Sequence, residues 1–262
     1  MNVAALEKFR SKLVADEPVY GLWITLDAPS VTEIAVVLGL DWVVIDAEHG
    51  HQDWGDIVHH IRSAVRSETV TLVRIAEDNI ALVKRALDIG ADGVVVPWIE
   101  TEEQLGRVVS YAHYPPAGLR GMGGERATGW GAATQAHVDE ADANVLVIPI
   151  IESVKGAHNA SSLAAVDGVD VYFFGPADLS STAGYPGTWE GPGVAEMIVD
   201  AAKEIRAAGK HCGVVAASNE IVSMRQEQGF RMLGMGLDAA VLATSIKERL
   251  KGLGRDAEIR SP

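Results

Sequence analysis

The sequence of 262 residues contains one cysteine, Cys212, and is short of positive charge. A single thiol excludes an intrachain disulfide, which is typical of proteins that stay in a reducing compartment. The 22 lysines and arginines face 36 acids, so the net charge is −14. This balance argues against binding to nucleic acid or to an anionic membrane, because both require basic patches. An anionic ligand must therefore meet a locally placed arginine or metal ion.

Long apolar runs are also missing. No run approaches the ~20 residues that a membrane-spanning helix needs. The first residues are typical of a helix start and lack the apolar segment of a secretion signal. We therefore expect a cytoplasmic protein without a membrane anchor. No low-complexity segment or linker divides the chain, which predicts one domain over residues 1–262.

Eight short segments rich in valine and isoleucine are present and indicate parallel strands covered on both faces. They span residues 19–25, 42–48, 69–75, 93–99, 144–152, 169–175, 211–216 and 230–236. Helical patterns lie between them, and several end at a glycine, such as Gly90, Gly209 and Gly229. Eight such units, in a chain close to the typical barrel length of about 250 residues, predict an α/β fold, a closed (β/α)₈ TIM barrel.

Two features bear on contacts with a second subunit. Residues 237–250 form an amphipathic helix that Asp238 can cap. This helix either completes the barrel in place or is exchanged with a neighbouring subunit. Asp88 lies in the last turn of a predicted helix, where the helix dipole disfavours an acid. It either pairs with Lys84 or Arg85 or faces a neighbouring subunit.

Charged side chains recur at or just beyond the ends of the predicted strands. They are Asp46, Glu48, His49, Arg74, Glu152 and Asp178. A buried strand has no structural need for such a cluster at its end. In a TIM barrel the carboxyl ends of all the strands meet on one face, and active sites lie there. The pattern therefore predicts an active site built on strand ends.

Glu152 and Asp178 follow the fifth and sixth predicted strands, whose ends are neighbours in a barrel. Two ionised carboxylates repel each other unless a cation or a proton lies between them. Divalent ions such as Mg²⁺ or Mn²⁺ accept oxygen ligands and keep positions free for water and substrate. We therefore expect a metal site. In the alternative, Glu152 pairs with Lys155 and Asp178 caps a short helix that begins near Leu179.

The loops after the predicted strands offer further contacts. Gly175 lets a ligand approach the backbone closely. The amides of Ala177 and Asp178 can then point at a carboxylate, as amides at helix N-termini do. Two long connections, residues 115–137 and 178–191, contain several glycines, and we expect part of the first to reach over the barrel mouth.

Arg74 is the single charge of the third predicted strand. A buried arginine needs a carboxylate partner from the protein or from a ligand. It either pairs with an acid, for which Asp46, Glu77 and Asp78 are candidates, or binds a keto acid and stabilises a developing enolate oxygen.

Histidine as a residue type titrates near neutral pH, so a histidine at position 49 suits proton transfer. If the chain bends after the strand, the carboxylate of Asp46 can accept the imidazole N–H and fix its tautomer. In the alternative, His49 is a surface residue that pairs with Glu48. His59 and His60 lie on a predicted helix, where we expect both to be solvated or at a rim.

Four segments resemble, in order, the motifs of the HpcH/HpaI aldolase family. They are DAEHG at 46–50, PAGLRG at 116–121, GPADLS at 175–180 and GLD at 236–238, beside the family patterns D-x-E-H-[GA], P-x-G-x-R-G, G-P-x-D-L-S and G-x-D. Each motif is short, but the four in register span nearly the whole chain, and the resemblance rests on that order.

This resemblance implies a (β/α)₈ barrel of the phosphoenolpyruvate/pyruvate superfamily, assembled as a hexamer with an exchanged last helix. It implies a class II aldolase that reversibly cleaves a 4-hydroxy-2-oxo acid. The products would be an aldehyde and pyruvate, or an analogue such as hydroxypyruvate, formed through an enolate at a divalent metal (Mg²⁺, Mn²⁺ or Co²⁺). The partners are then small molecules and further copies of the chain.

The resemblance also assigns catalytic roles by position. It implies that Glu152 and Asp178 bind the metal and that Arg74 contacts the keto oxygen. His49 would be the acid/base group, acting through water, and Asp46 would support the site.

The resemblance implies further roles in subunit contacts and in substrate binding. Asp88 would reach His49 of a neighbouring subunit, and Trp23 would line the pocket. The backbone at Gly175, Ala177 and Asp178 would hold the substrate carboxylate. One position departs from the family, because several members carry glutamine where this chain has Ile150.

Three other functions stay open at this point. A class I aldolase would need a buried Schiff-base lysine on a strand, and Lys155 comes nearest to that requirement. A CoA-ester lyase of the same superfamily would bind an adenine nucleotide, for which no basic patch is evident. A non-catalytic barrel could bind keto acids as a regulator.

Overall fold

The computed structural model describes residues 1–216 and 218–255. Eight parallel strands form a closed barrel in which each strand pairs with the next and the last pairs with the first. The strands are β1 (Val19–Ile24), β2 (Trp42–Asp46), β3 (Val70–Arg74), β4 (Gly93–Val96), β5 (Leu146–Ile151), β6 (Val171–Phe174), β7 (His211–Val215) and β8 (Met232–Leu237). This arrangement confirms the predicted TIM barrel. The predicted extent of one domain over 1–262 stays a prediction, and residues 256–262 lie outside the described part.

Helices alternate with the strands along the chain. They are α1 (Val3–Val14), α2 (Pro29–Val37), α3 (Trp54–Ala64), α4 (Ile80–Asp88), α5 (Glu102–Ala112), α6 (Thr134–Asn144), α7 (Val154–His158), α8 (Ala160–Ala164), α9 (Pro176–Thr182), α10 (Val194–Ala207), α11 (Asn219–Glu227) and α12 (Asp238–Gly252). Asn144, predicted to open the fifth strand, instead ends α6. Within the described residues, no helix is both long enough and apolar enough to cross a membrane.

Apolar side chains pack in two layers, one inside the barrel and one between the strands and the outer helices. The inner layer contains Trp42 and Phe173, and it continues into Leu6 and Phe9 of α1, which packs at the amino ends of the strands. A Cβ at Gly21 would lie 2.0 Å from the Trp42 ring. The large indole therefore fits inside the barrel only because the facing strand has no side chain there.

Part of the connection 115–137 was predicted to lie over the carboxyl ends of the strands, but the connection lies at the opposite end of the barrel. Arg126 donates a hydrogen bond to the carbonyl of Ile89 at the end of α4 (3.0 Å), and Trp130 borders a cavity with Asp92. The expectation that part of this connection reaches over the mouth of the barrel is therefore wrong. It joins the carboxyl end of α5 to the amino end of β5, and both of these ends lie away from the mouth.

The expectation for the two histidines of α3 holds for only one of them. His59 is exposed, but His60 is fully buried, and its Nδ1 lies 2.8 Å from the hydroxyl of Thr32 on α2. Position 60 falls on the same helical face as Ile57 and Ile61. This face packs against the neighbouring helix α2, so the helical period explains why the side chain of His60 is buried.

Asp238 joins the last strand to the first. Its buried carboxylate accepts hydrogen bonds from the amide and hydroxyl of Thr25 (2.9 and 2.7 Å) and from the amide of Leu26 (3.1 Å). It also accepts the amide of Ala239 (2.8 Å), the next residue of α12. The prediction that Asp238 caps α12 is wrong, because the N-cap position is Leu237 and Asp238 is already the first residue of the helix. Beyond that first turn α12 exposes Val241, Leu242 and Ile246. Exchange of this helix between subunits stays a prediction.

Replacing Asp238 with alanine should lower the free energy of unfolding by about 2–4 kcal/mol, because the partly buried amides of Thr25 and Leu26, just after β1, would lose their acceptor. Chemical denaturation at neutral pH measures this. Asp200→Ala is the matched control: its pair with Lys203 is exposed on α10, and we expect a change below about 0.5 kcal/mol. Equal losses in both variants would contradict the role of Asp238 in barrel closure.

Candidate active site

A cavity of about 160 Å³ opens at the carboxyl ends of the strands. It is bordered by most of the residues predicted from the sequence to form a site: Trp23, His49, Arg74, Glu152, Gly175, Ala177 and Asp178. These residues come from the ends of separate strands and from the turns that follow them. Closure of the parallel barrel alone brings them together.

Arg74 lies at the end of β3, in register with Asp46 of β2. Its guanidinium donates hydrogen bonds to the Asp46 carboxylate through Nε (2.9 Å) and Nη2. The third nitrogen, Nη1, lies 2.9 Å from Oε2 of Glu48 and forms an ion pair without hydrogen-bond geometry. The same group stacks over the Trp23 ring at 4.8 Å. Burial lowers the pKa of Arg74, but the two carboxylates outweigh burial and raise it. Arg74 therefore stays positive in a fixed orientation.

Asp46 has one of the two partners considered from the sequence, Arg74, but it lacks the other, the His49 ring. Besides binding Arg74, its Oδ1 accepts the backbone amides of Glu48 (3.0 Å) and His49 (3.1 Å). The expectation that Asp46 holds the His49 imidazole is wrong, because the turn directs the main-chain N–H of His49, and not its ring, at the carboxylate. A Cβ at Gly50 would lie 2.1 Å from the carbonyl oxygen of Asp46. The predicted bend thus depends on glycine.

His49 lies at the rim of the cavity. Its side chain is 66% exposed, and Nε2 lies 3.8 Å from Glu48 Oε1. The alternative of a surface histidine near Glu48 therefore describes its contacts in this chain. The same exposure leaves the ring free to meet a substrate or a water molecule at the mouth.

Glu152 follows β5 and is 2% exposed. Its Oε1 accepts the amide of Trp98 at 2.8 Å, and it makes no pair with Lys155, which binds Glu100 instead. A Cβ on Gly175 would lie 2.7 Å from Oε2, so only glycine fits beside this carboxylate. Burial raises the pKa of Glu152 to about 7, and the carboxylates of Asp178 and Glu48 add to the rise.

Asp178 lies in the first turn of α9, which begins at Pro176 and not near Leu179. An acid in this position is favoured by the helix dipole. Among the described residues no hydrogen-bond donor reaches its side chain. The amides of Ala177 and Asp178 belong to the same first turn, and their contact with a substrate carboxylate stays a prediction.

Asp88 lies at the carboxyl end of α4, on the barrel face away from the cavity. It pairs with the buried Arg120 (Oδ1 to Nη2, 3.4 Å) and not with Lys84 or Arg85, as the sequence had suggested. Within one chain Asp88 therefore cannot reach His49. Its predicted approach to a neighbouring subunit's histidine stays a prediction.

The residues present fit a divalent cation. Glu152 and Asp178 border one cavity, and the charge of Asp178 raises the electrostatic cost of ionising Glu152. Within residues 1–216 and 218–255 no three His, Cys, Asp or Glu side chains group closely enough to hold a metal by themselves. Two carboxylates suit an ion such as Mg²⁺, which keeps water and substrate oxygens as its other ligands.

The sequence pattern did not predict that two tryptophans, Trp98 and Trp189, belong to the site. Trp98 was predicted within the fourth strand, but β4 ends at Val96 and Trp98 has a left-handed φ of 55°. This strained conformation places its amide against Glu152. Trp189 borders the cavity from the loop after α9. Position after a strand end was a usable signal for Trp98; nothing local distinguished Trp189.

These features define a class of protein, the (β/α)₈-barrel enzymes with acids and an arginine at the carboxyl ends of the strands. The chain belongs to the HpcH/HpaI aldolase/citrate lyase family, whose sequence model matches residues 19–244. The family expected from the four motifs is thereby confirmed.

Curated relatives match over almost the full length. A 4-hydroxy-2-oxovalerate aldolase of Novosphingobium aromaticivorans is 34% identical over 247 residues, covering 94% of each chain. A hydroxypyruvate/pyruvate aldolase of Pseudomonas aeruginosa is 33% identical over 252 residues, again covering 94% of each. The HpcH/HpaI aldolase of Desulfitobacterium hafniense DCB-2 has a similar structure, with a TM-score of 0.85, 30% identity and coverage of 96% and 98%.

The metal-free protein should lose stability as pH rises, because folded Glu152, with a pKa of about 7, holds its proton above the ordinary value of 4.5. Between about pH 5.5 and 8 this should remove about 2 kcal/mol. Denaturation in chelator, compared with Glu152→Gln, isolates the effect, since glutamine cannot ionise. A constant difference between the two proteins over this range would contradict the raised pKa.

Proposed function

We propose that this protein is a metal-dependent aldolase that reversibly cleaves a 4-hydroxy-2-oxo acid into an aldehyde and pyruvate or an analogue such as hydroxypyruvate. The observation that carries the proposal is the juxtaposition of Glu152 and Asp178 with the fixed cation of Arg74 in one cavity. The family and the named relatives support the same reaction class.

Glu152 and Asp178 would hold the divalent ion, for which Mg²⁺, Mn²⁺ and Co²⁺ are the candidates. The ion, when bound, supplies Lewis-acid polarisation of the donor's carbonyl group. Glu152 must give up its proton to bind a cation, and a pKa of about 7 makes this exchange accessible near neutral pH. Deep burial keeps water from competing around the carboxylate.

Arg74 would stabilise negative charge on the keto oxygen of the donor. Its guanidinium is already oriented by Asp46 and Glu48, so little reorganisation is needed when charge develops on the substrate. Such preorganised electrostatic stabilisation is often a large contribution to catalysis. Asp46 would therefore act as a positioning residue.

His49 would transfer the proton of the C4 hydroxyl group. In the cleavage direction a base removes this proton, the C3–C4 bond breaks, and the enolate carbon is protonated afterwards. The exposed ring at the rim suits a relay through one water molecule. The main-chain hydrogen bond to Asp46 fixes the backbone of His49 and leaves the ring nitrogens available.

We extend the proposal to the assembly and location. The apolar face of α12, formed by Val241, Leu242 and Ile246, is half exposed in one chain, which supports a homo-oligomer, proposed as a hexamer built from three dimers. Asp88 would then face His49 of a neighbour. The buried free thiol of Cys212 is in keeping with the proposed cytoplasmic location.

Incubating the protein with pyruvate in ²H₂O tests the first half-reaction without an aldehyde. We expect deuterium in the methyl group only when Mg²⁺, Mn²⁺ or Co²⁺ is present. Glu152→Ala should abolish both the exchange and Mn²⁺ binding measured by calorimetry, because one of two protein ligands is lost. Glu227→Ala, an exposed acid on α11, is the matched control. Full exchange in chelator would refute the metal mechanism.

Arg74→Lys should lower kcat by about 10²–10³-fold while leaving Mn²⁺ binding close to that of the unmodified protein. A lysine cannot make the two hydrogen bonds that the guanidinium makes to the Asp46 carboxylate. Its positive charge is therefore misplaced relative to the enolate oxygen. Steady-state kinetics and calorimetry on the same preparation separate the two effects. An unchanged kcat would remove Arg74 from the reaction.

A further inference from the structure

We propose that the outer part of the cavity is an apolar subsite, formed by Trp189, Val215 and Leu237, that binds an uncharged hydrophobic aldehyde. The inference rests on the proposed aldolase function, because it assigns the chemical class of the second substrate of the same site. All three side chains border the cavity.

Charged side chains form part of the cavity floor, and apolar side chains form part of its rim, which also carries His49. Glu152 and Arg74 are buried at the strand ends, whereas Trp189 is 39% exposed and Leu237 is partly buried. The donor's carboxylate and keto oxygens need the charged floor. The carbon nucleophile formed there must therefore attack an aldehyde that enters past the rim, against the indole.

The loop that carries Trp189 is folded tightly onto α9. The hydroxyl of Ser180 accepts the amide of Gly191 (2.9 Å) and donates to the carbonyl of Tyr185 (3.3 Å). A Cβ on Gly191 would lie 2.4 Å from the Tyr185 ring, so this closed loop requires glycine. Trp189 is thus placed by a defined loop.

An ion pair with a buried arginine holds the same loop from the other side. Glu190, next to Trp189, binds Nη2 of Arg225, which is 1% exposed on α11. Arg225 also donates to Gln228 (3.0 Å) and stacks on Phe230 at 5.5 Å. Because breaking the pair would leave the buried charge of Arg225 without a carboxylate partner, the contact stabilises the loop in this position.

The charges around the cavity disfavour an acidic aldehyde. Among the described residues that border it, Arg74 is the only lysine or arginine, and Asp46 and Glu48 already bind it. The carboxylates of Glu152 and Asp178 would neutralise the dication that they hold, so the floor gains no excess positive charge from it. A second carboxylate would find no free cation at the rim, while an alkyl or aryl group would bury apolar surface against the indole.

The test compares hexanal, glycolaldehyde and succinic semialdehyde as acceptors for pyruvate with Mn²⁺. We expect kcat/KM for hexanal to exceed that for succinic semialdehyde by about tenfold or more. Trp189→Ala should reduce this ratio about tenfold, and Trp189→Phe should retain most of it. The ratio cancels any common effect on the donor. Trp130→Ala, a tryptophan at the opposite end of the barrel, is the matched control and should leave the ratio unchanged.

Two results overturn the inference. One is a wild-type preference for succinic semialdehyde or glycolaldehyde over hexanal. The other is a ratio that stays the same in Trp189→Ala. Deuterium exchange into pyruvate by the wild-type protein, measured without aldehyde, distinguishes this failure from that of the proposed function. Exchange without the expected preference refutes the subsite alone, and absence of exchange refutes the aldolase itself.

Discussion

The buried ion pair between Arg74 and Asp46 is the contact on which the site depends. It joins the ends of β2 and β3 across one register position and fixes a permanent cation beside several acids. Asp46 also binds the amides of the following turn, so the arginine and the chain that carries His49 are held by one carboxylate. Moving this carboxylate would disturb both the orientation of the Arg74 guanidinium and the position of the His49 backbone.

The second constraint is the repulsion among the remaining acids. Glu152 is buried beside Asp178 and holds its proton up to a pKa of about 7, mainly because burial penalises its charged form. The strained backbone of Trp98 supplies the one hydrogen bond to its Oε1. A site arranged in this way is close to a balance between binding a proton and binding a cation, which makes its occupancy sensitive to pH near neutrality.

The two ends of the barrel carry different groups of side chains. The strand ends carry the charged floor, and the loop after α9 adds the apolar rim through Trp189. The opposite end carries Asp88 and Arg120, which pair with each other. Loops tolerate sequence change better than strands do. We therefore expect the loop after α9 to tolerate substitution better than the strand end that carries Arg74.

Sequence alone determined the barrel, because alternating apolar segments and helices with glycine ends leave few other ways to bury both faces of a parallel sheet. It also located Arg74 and Glu152, since strand order places strand ends together. Tertiary structure decided which groups face each other. Asp46 meets an amide of His49 and not its ring, and Trp189 enters the cavity through contacts distant in sequence, because side-chain direction depends on turn geometry and packing that residue patterns do not encode.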